Sequence, residues 1–300
     1  MAAVMAGALR VTYAALHSRR HTVNSSVSLS ATLPATHSSS ATTWLNRSAV
    51  AWWVVTFIGQ WAFLYYLIAF YGSSALHGDI EAWTKHPLLR KGYVPGDTAG
   101  NVMFGAHVLL AVIVTFGGTL QLVPWIRQRA LPFHRWNGRL FLLTAAVAAC
   151  GGLYLVWIRG EGTLRLFNSI AISGNAVLIA LFATLAWVSA RGHDVAAHRR
   201  WAMRAFIVAN GVWFFRIGLF GWIIVNRGPV GITKALDGPF DRFWAYACYL
   251  LPLVILELYL RAKDSRDSRF KFAMAGGLGV FTVFMAIGIV GVSAFLYRFM

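Results

Sequence analysis

Acidic side chains are scarce: 10 Asp and Glu stand against 27 Lys and Arg in 300 residues, and charged residues together make up only 12% of the chain. A soluble domain carries roughly twice that share, so a conventional water-soluble fold is excluded. Cysteine is almost absent as well. Cys150 and Cys248 both fall inside apolar runs and form no CxxC pair, which removes a disulfide framework and a thiolate zinc site. The chain also lacks a Walker loop, a dinucleotide glycine fingerprint, a nucleophile elbow, an HExxH helix and the paired intramembrane carboxylates of a hydrolase or ion pump. Soluble-enzyme chemistry is therefore not indicated, and no enzymatic activity is assigned. A secretory leader is not expected either, because the first strong apolar run is of full spanning length with no small-residue cleavage pattern behind it.

What the chain has instead is hydrophobicity: 58% apolar residues, 13 of them Trp. Apolar runs near 20 residues recur, each long enough to cross a hydrocarbon core about 30 Å thick. Inside a bilayer the backbone must satisfy itself, and continuous apolar runs exclude the alternating strands of a barrel, so only helices remain. The expected fold is all-α, a polytopic membrane helix bundle with about seven transmembrane helices over roughly 49–71, 102–124, 138–158, 166–188, 202–225, 243–260 and 273–297. Residues 1–47 carry no acid and are rich in Ser, Thr and Ala, with Arg10, Arg19 and Arg20. They read as a disordered or targeting-like cytoplasmic tail ahead of a membrane domain over 48–300.

The net charge of +17 follows the topology. Segments 1–47, 125–139, 190–204 and 261–271 hold 17 of the 27 basic residues with three acids, whereas loops 73–101, 158–165 and 226–242 hold eight with six acids. The positive-inside rule then places the N-terminus in the cytoplasm and the C-terminus outside. The implied partners are the bilayer and, at the cytoplasmic face, anionic lipids. A nucleic-acid partner is not implied, since the charge alternates along the chain instead of gathering on one face. Trp52, Trp53, Trp125, Trp136, Trp157, Trp201, Trp222 and Trp244 mark span edges as interfacial anchors. Glycines at Gly117-Gly118, Gly151-Gly152, Gly276-Gly277, Gly279, Gly288 and Gly291 read as close helix-packing sites.

Two inward segments share an Arg-Trp-x-x-Arg pattern: His134-Arg135-Trp136-Asn137-Gly138-Arg139 and His198-Arg199-Arg200-Trp201-Ala202-Met203-Arg204. The helices before them correspond loosely, placing His107 opposite Asn175, so spans two and three repeat as spans four and five. His107 is an ionisable residue inside a span, expected to face the bundle or a cavity. Gln121 lies a little under four turns further along the same face. The plain alternative is that both merely hydrogen-bond neighbouring helices. Arg216 sits near mid-membrane with no acid at matching depth, which leaves an anionic ligand, a carbonyl, or snorkelling outward to water. Glu257, the one acid inside a span, requires a partner, and Arg139 or Arg204 is in place to supply it. The remaining basic residues also suit topology and lipid headgroups alone.

His134 and His198 form a candidate inner pair of haem-iron ligands, imidazole being the usual axial ligand. Arg135, Arg139 and Arg204 lie beside them for propionates or lipid phosphates. His107 and Arg216 frame an outer polar site, and His77 or His86 could complete an outer ligand pair that Asn175 leaves without its second His. The favoured reading is a membrane redox or cofactor-binding protein holding haem b. The alternative is a non-enzymatic transporter or lipid-interacting module lined by the same residues. Any redox partner, or a second copy of the chain, is left unspecified.

The stretch from about 102 to 225, with His107, Gln121, His134-Arg135-x-x-Gly138-Arg139 and His198-Arg199-Arg200-Trp201-x-x-Arg204, resembles the bacterial membrane family known as domain of unknown function 2306. That resemblance implies a four-helix unit in a bacterial inner membrane. More distantly, the layout resembles cytochrome b561 and ferric-reductase-like four-helix membrane domains, which implies haem between facing helices.

Overall fold

The structure is a computed structural model that describes residues 40–85, 92–160 and 166–300. Its secondary structure is helical, with no strand among the described residues. Among the described residues nine helices carry the fold: α1 (Ser40–Leu76), α2 (Thr98–Gln121), α3 (Pro124–Arg129), α4 (Leu131–Trp157), α5 (Leu166–Arg191), α6 (Val195–Ala209), α7 (Gly211–Val225), α8 (Pro239–Asp264) and α9 (Ser268–Leu296). Six of these are long and apolar enough to cross a membrane, and the bent pair α6–α7 makes a seventh when taken as one span. The protein is an integral membrane helix bundle.

Local chemistry sets the helix ends. Asp97, Asp194 and Asp267 cap α2, α6 and α9 through side-chain oxygens that accept backbone N–H bonds at 2.8–2.9 Å, filling donors that a helix start leaves open. Proline opens α3, α4 and α8, where its missing N–H costs nothing. The spans run longer than the hydropathy runs because amphipathic turns extend them. Ser40–Arg47, expected in the tail, are the first turns of α1, and residues 1–39 lie outside the described residues. The fifth span begins at Val195 instead of 202 and bends by 55° at Asn210. There the Asn210 side chain donates to the Phe206 carbonyl at 2.7 Å, a local bond that competes with helix continuation. In α1, Leu67–Gly72 widens into a π-helix.

Successive spans are antiparallel, as contacts at both ends show. At one end Gln121 meets His134, the His198 ring meets Ala186, Arg200 meets Asp264 and Lys271 meets Thr42. We call it the basic end, because Arg127, Arg135, Arg139, Arg199 and Lys263 also lie there. At the far end Arg159 meets Asp97, Trp157 meets Ser173, and Trp222 donates to Val230. The central helix is α7, enclosed by α1, α8 and α9. Gly59 of α1 lies so close to Ile289 and Trp213 that an added Cβ would come within 2.5 and 2.9 Å.

Gly117, Gly118, Gly288 and Gly291 are close-packing positions as expected, with Gly288 against the Ile217 backbone. Gly276, Gly277 and Gly279 differ: a Cβ at each would meet nothing within 4 Å, so they lie on an open face of α9. Trp125, Trp136 and Trp157 are exposed, in keeping with an anchoring belt, whereas Trp244 is 6% exposed. Its indole N–H donates to the Phe215 carbonyl at 2.9 Å, so this Trp locks α8 to α7 and is no interfacial anchor.

Candidate functional site

The internal repeat has a structural counterpart. In the first hairpin, α2 and α4, the Gln121 amide donates to the His134 carbonyl at 3.0 Å. In the second, α5 and α6, the His198 Nδ1 meets the Ala186 carbonyl at 2.9 Å. Each bond ties the end of one helix to the first turn of the next. In both, an Arg three residues after a Trp lies over its ring: Arg139 over Trp136 at 4.7 Å and Arg204 over Trp201 at 4.5 Å. Helical i,i+3 spacing puts the two side chains on one face, and the guanidinium gains from the ring quadrupole. His134, read from the sequence as loop, is in the first turn of α4.

At the basic end, His134 lies within electrostatic reach of His198 and Arg127, and Arg127 of Arg199. The His134 Nδ1 is buried without a hydrogen bond. Arg135, Arg139, Arg127 and Arg199 are exposed. Arg204 differs from them: its Nε and Nη2 donate to the two Glu257 oxygens at 2.5 and 2.8 Å. Of the two partners expected for Glu257, the structure selects Arg204, because α8 packs beside α6 and not beside α4. Arg200 and Asp264 form a second, exposed bridge between the same helices. Among the described residues no group of three or more His, Cys, Asp or Glu could hold a metal ion. That counts against a three-ligand ion site but leaves a two-imidazole site open, since bis-histidine haem needs only two ligands.

The second polar region lies at mid-depth. His107 is nine residues from Thr98, Arg216 nine from Val225 and Tyr66 ten from Leu76, all measured from the far end. His107 packs on the glycine pair of α4, where Cβ positions at Gly151 and Gly152 are 3.7 and 3.5 Å from its ring, and its Nδ1 is buried without a bond. Gln121, though on the same helix, belongs to the basic end. Asn175 holds the position corresponding to His107 in the repeat. It abuts Gly211, with Nδ2 at 2.8 Å from a Cβ built there, and its Oδ1 is unbonded. Of the outer histidines, the His77 Nδ1 meets the Ser73 carbonyl at 2.8 Å, and His86 lies outside the described residues.

Sequence reasoning missed three participants. Tyr66 and Tyr71 lie within electrostatic reach of Arg216, and Gln60 is fully buried with neither amide atom bonded. Tyr and Gln in an apolar run give little signal. The π-helix beside them, a frequent mark of functional sites, leaves none in the sequence.

No curated relative and no solved structure matches the chain. A family profile described as a predicted membrane protein, DUF2306, matches residues 104–259. The match starts within α2, takes in His107, both Arg-Trp-x-x-Arg segments, Arg216 and Glu257, and extends beyond residue 225 through most of α8. Covering just over half of the 300 residues, it shows that the chain belongs to the DUF2306 family of membrane proteins.

Proposed function

We propose that the protein is a redox carrier of the bacterial cytoplasmic membrane that holds one b-type haem at its basic end, between His134 and His198. The observation that carries this reading is the state of the two rings. They stand in the first turns of two repeat-related helices, within electrostatic reach of each other. The Nδ1 of His198 is engaged by the Ala186 carbonyl, the outer hydrogen bond that orients an imidazole and leaves Nε2 for iron. The His134 Nδ1 is buried and unpartnered, a state that costs free energy unless something occupies it. Exposed Arg127, Arg199, Arg135 and Arg139 would offer counter-charges to propionates. Bound there, haem would supply reversible one-electron chemistry, and the chain would supply the ligands and the low-dielectric surround. The proposed orientation, basic end in the cytoplasm, follows from the charge asymmetry of the loops.

The test is the absorption spectrum of purified protein expressed with ample haem. The expected result is a stoichiometric b-type Soret band that His134→Ala or His198→Ala removes. A colourless protein under those conditions would refute it. It would favour the second reading, a transporter or lipid-interacting module, to which the exposed arginines at the basic end give independent support as a lipid-phosphate surface.

A further inference from the structure

We propose that Arg216, with His107 and Tyr66, forms an intramembrane binding site for a monoanionic carboxylate. The site stands independently of the haem reading. His107 and Gln121 are fourteen residues apart on α2, so it lies about 20 Å from the basic end at 1.5 Å per residue.

The first ground is the charge itself. Arg216 sits in the bundle with no acid at ion-pair distance among the described residues, and its direction excludes the ordinary escape. Its Nη1 donates to the carbonyl of Val212, one turn earlier, at 3.2 Å. The side chain therefore points along α7 toward the middle of the span, away from the water beyond Val225, and does not snorkel. Besides that carbonyl it has the face of Phe63, with 5.3 Å from the guanidinium carbon to the ring centroid. Neither balances a full positive charge in hydrocarbon. Nε is buried with no hydrogen-bond partner among the described residues, which leaves this edge of the guanidinium, the one that can fork onto both oxygens of a carboxylate, open to a ligand.

The second ground is what surrounds it. Phe63 and Tyr66 stack at 6.5 Å, Tyr66 meets Tyr71 edge-on at 6.2 Å, and Tyr71 reaches Phe104 of α2 at 5.9 Å. His107 is one turn beyond Phe104. Of these rings, Tyr71 lies in the π-helix Leu67–Gly72 and Tyr66 stands immediately before it. Groups around the guanidinium are thus neutral or weakly basic, with one fixed charge among them. One negative charge on the ligand balances the site, and a dianion would leave an excess.

The carboxylate could come from a free short-chain acid or from the head of an acyl amphiphile in the bilayer. The experiment uses full-length protein in phosphatidylcholine nanodiscs and follows Trp fluorescence, Trp213 being one turn from Arg216, during titration with butyrate, oleate and methyl oleate. The expected result is saturable binding of a carboxylate but not of the ester. Arg216→Gln should weaken it roughly tenfold or more, and Arg216→Lys less, since it keeps the charge but not the fork. Binding of both acids identifies a free carboxylate, and binding of oleate alone an amphiphile. Should Arg216→Gln fail to fold, the acid and ester comparison on the unmodified protein decides. No saturable binding of either acid, equal binding of the ester, or unchanged binding by folded Arg216→Gln would overturn the proposal.

Discussion

Removing either partner of the Arg204–Glu257 bridge should destabilise the bundle, and the two losses should not add. The pair makes two bonds, 2.5 and 2.8 Å, and joins α6 to α8 near the basic end. Breaking a fully buried ion pair by deleting one member costs about 3–5 kcal/mol, because a charge is left uncompensated. Here the side chains are 15% and 36% exposed, so water at the interface recovers part of that loss. We expect about 2 kcal/mol for Glu257→Gln, after which Arg204 still rests on the Trp201 ring at 4.5 Å. Arg204→Gln should cost somewhat more, since the carboxylate loses its counter-charge and Trp201 its cation. In a double-mutant cycle read by denaturant unfolding in mixed micelles, the coupling energy should be about 1.5 kcal/mol. Arg139→Gln is the internal control: Arg139 has the same ring contact at 4.7 Å but no acid partner among the described residues, so it should lose well under about 1 kcal/mol. A coupling energy below about 0.5 kcal/mol, or an equal loss in the Arg139 variant, would refute the claim that the bridge fastens these helices.

Two further outcomes follow from the packing. Gly218→Ala would drive a methyl into the Trp244 indole and should cost about 1–3 kcal/mol or more. Gly277→Ala, with nothing within 4 Å, should be close to neutral, and thermal unfolding of the two variants in one detergent compares them directly. At the far end, Asp97 accepts from the Gly100 N–H at 2.9 Å and from the Arg159 Nε at 3.0 Å. Asp97→Asn keeps the cap and loses the charge, so Asp97→Ala should be less stable by a further amount of about 1 kcal/mol. Equal melting temperatures for those two variants would show that the cap contributes nothing.

Where a signal depends on a residue's own chemistry, the sequence carried it. Apolar runs specify spanning helices because no other backbone satisfies itself in lipid. A lone Glu257 requires a cation, and a repeated Arg-Trp-x-x-Arg brings an i,i+3 pair together wherever it folds as a helix. What stayed hidden depends on the neighbour. Gly218 and Gly277 look alike in a string of letters, yet one faces an indole and the other an open surface. Trp244 reads as an interfacial anchor until α8 is seen to press it on α7. Choosing between Arg139 and Arg204 for Glu257 needed the helix order around the bundle. Whether Arg216 would snorkel depended on the direction of its side chain, which helical geometry biases toward the N-terminal end of α7 and hence toward the middle of the span.

The two similar hairpins, α2–α4 and α5–α6, also indicate where function is to be sought. Where the copies agree, each has a bond closing its basic end and an Arg on a Trp ring, and the His134 Nδ1 is the buried polar atom left over there. Where they diverge, unsatisfied groups collect. His107 faces a glycine pair in one copy, while Asn175 faces the helix break at Asn210–Gly211 in the other, and each keeps a polar atom without a bond. The continuous α4 has as its counterpart the bent pair α6–α7, and that bend sends α7 toward α1 with Arg216 on it. A scaffold under packing constraint alone should lose such groups, since each buried unpartnered polar atom costs about 1–3 kcal/mol. Several of them at one depth, around a charge with no counter-ion among the described residues, are more economically explained by an occupant than by structural need.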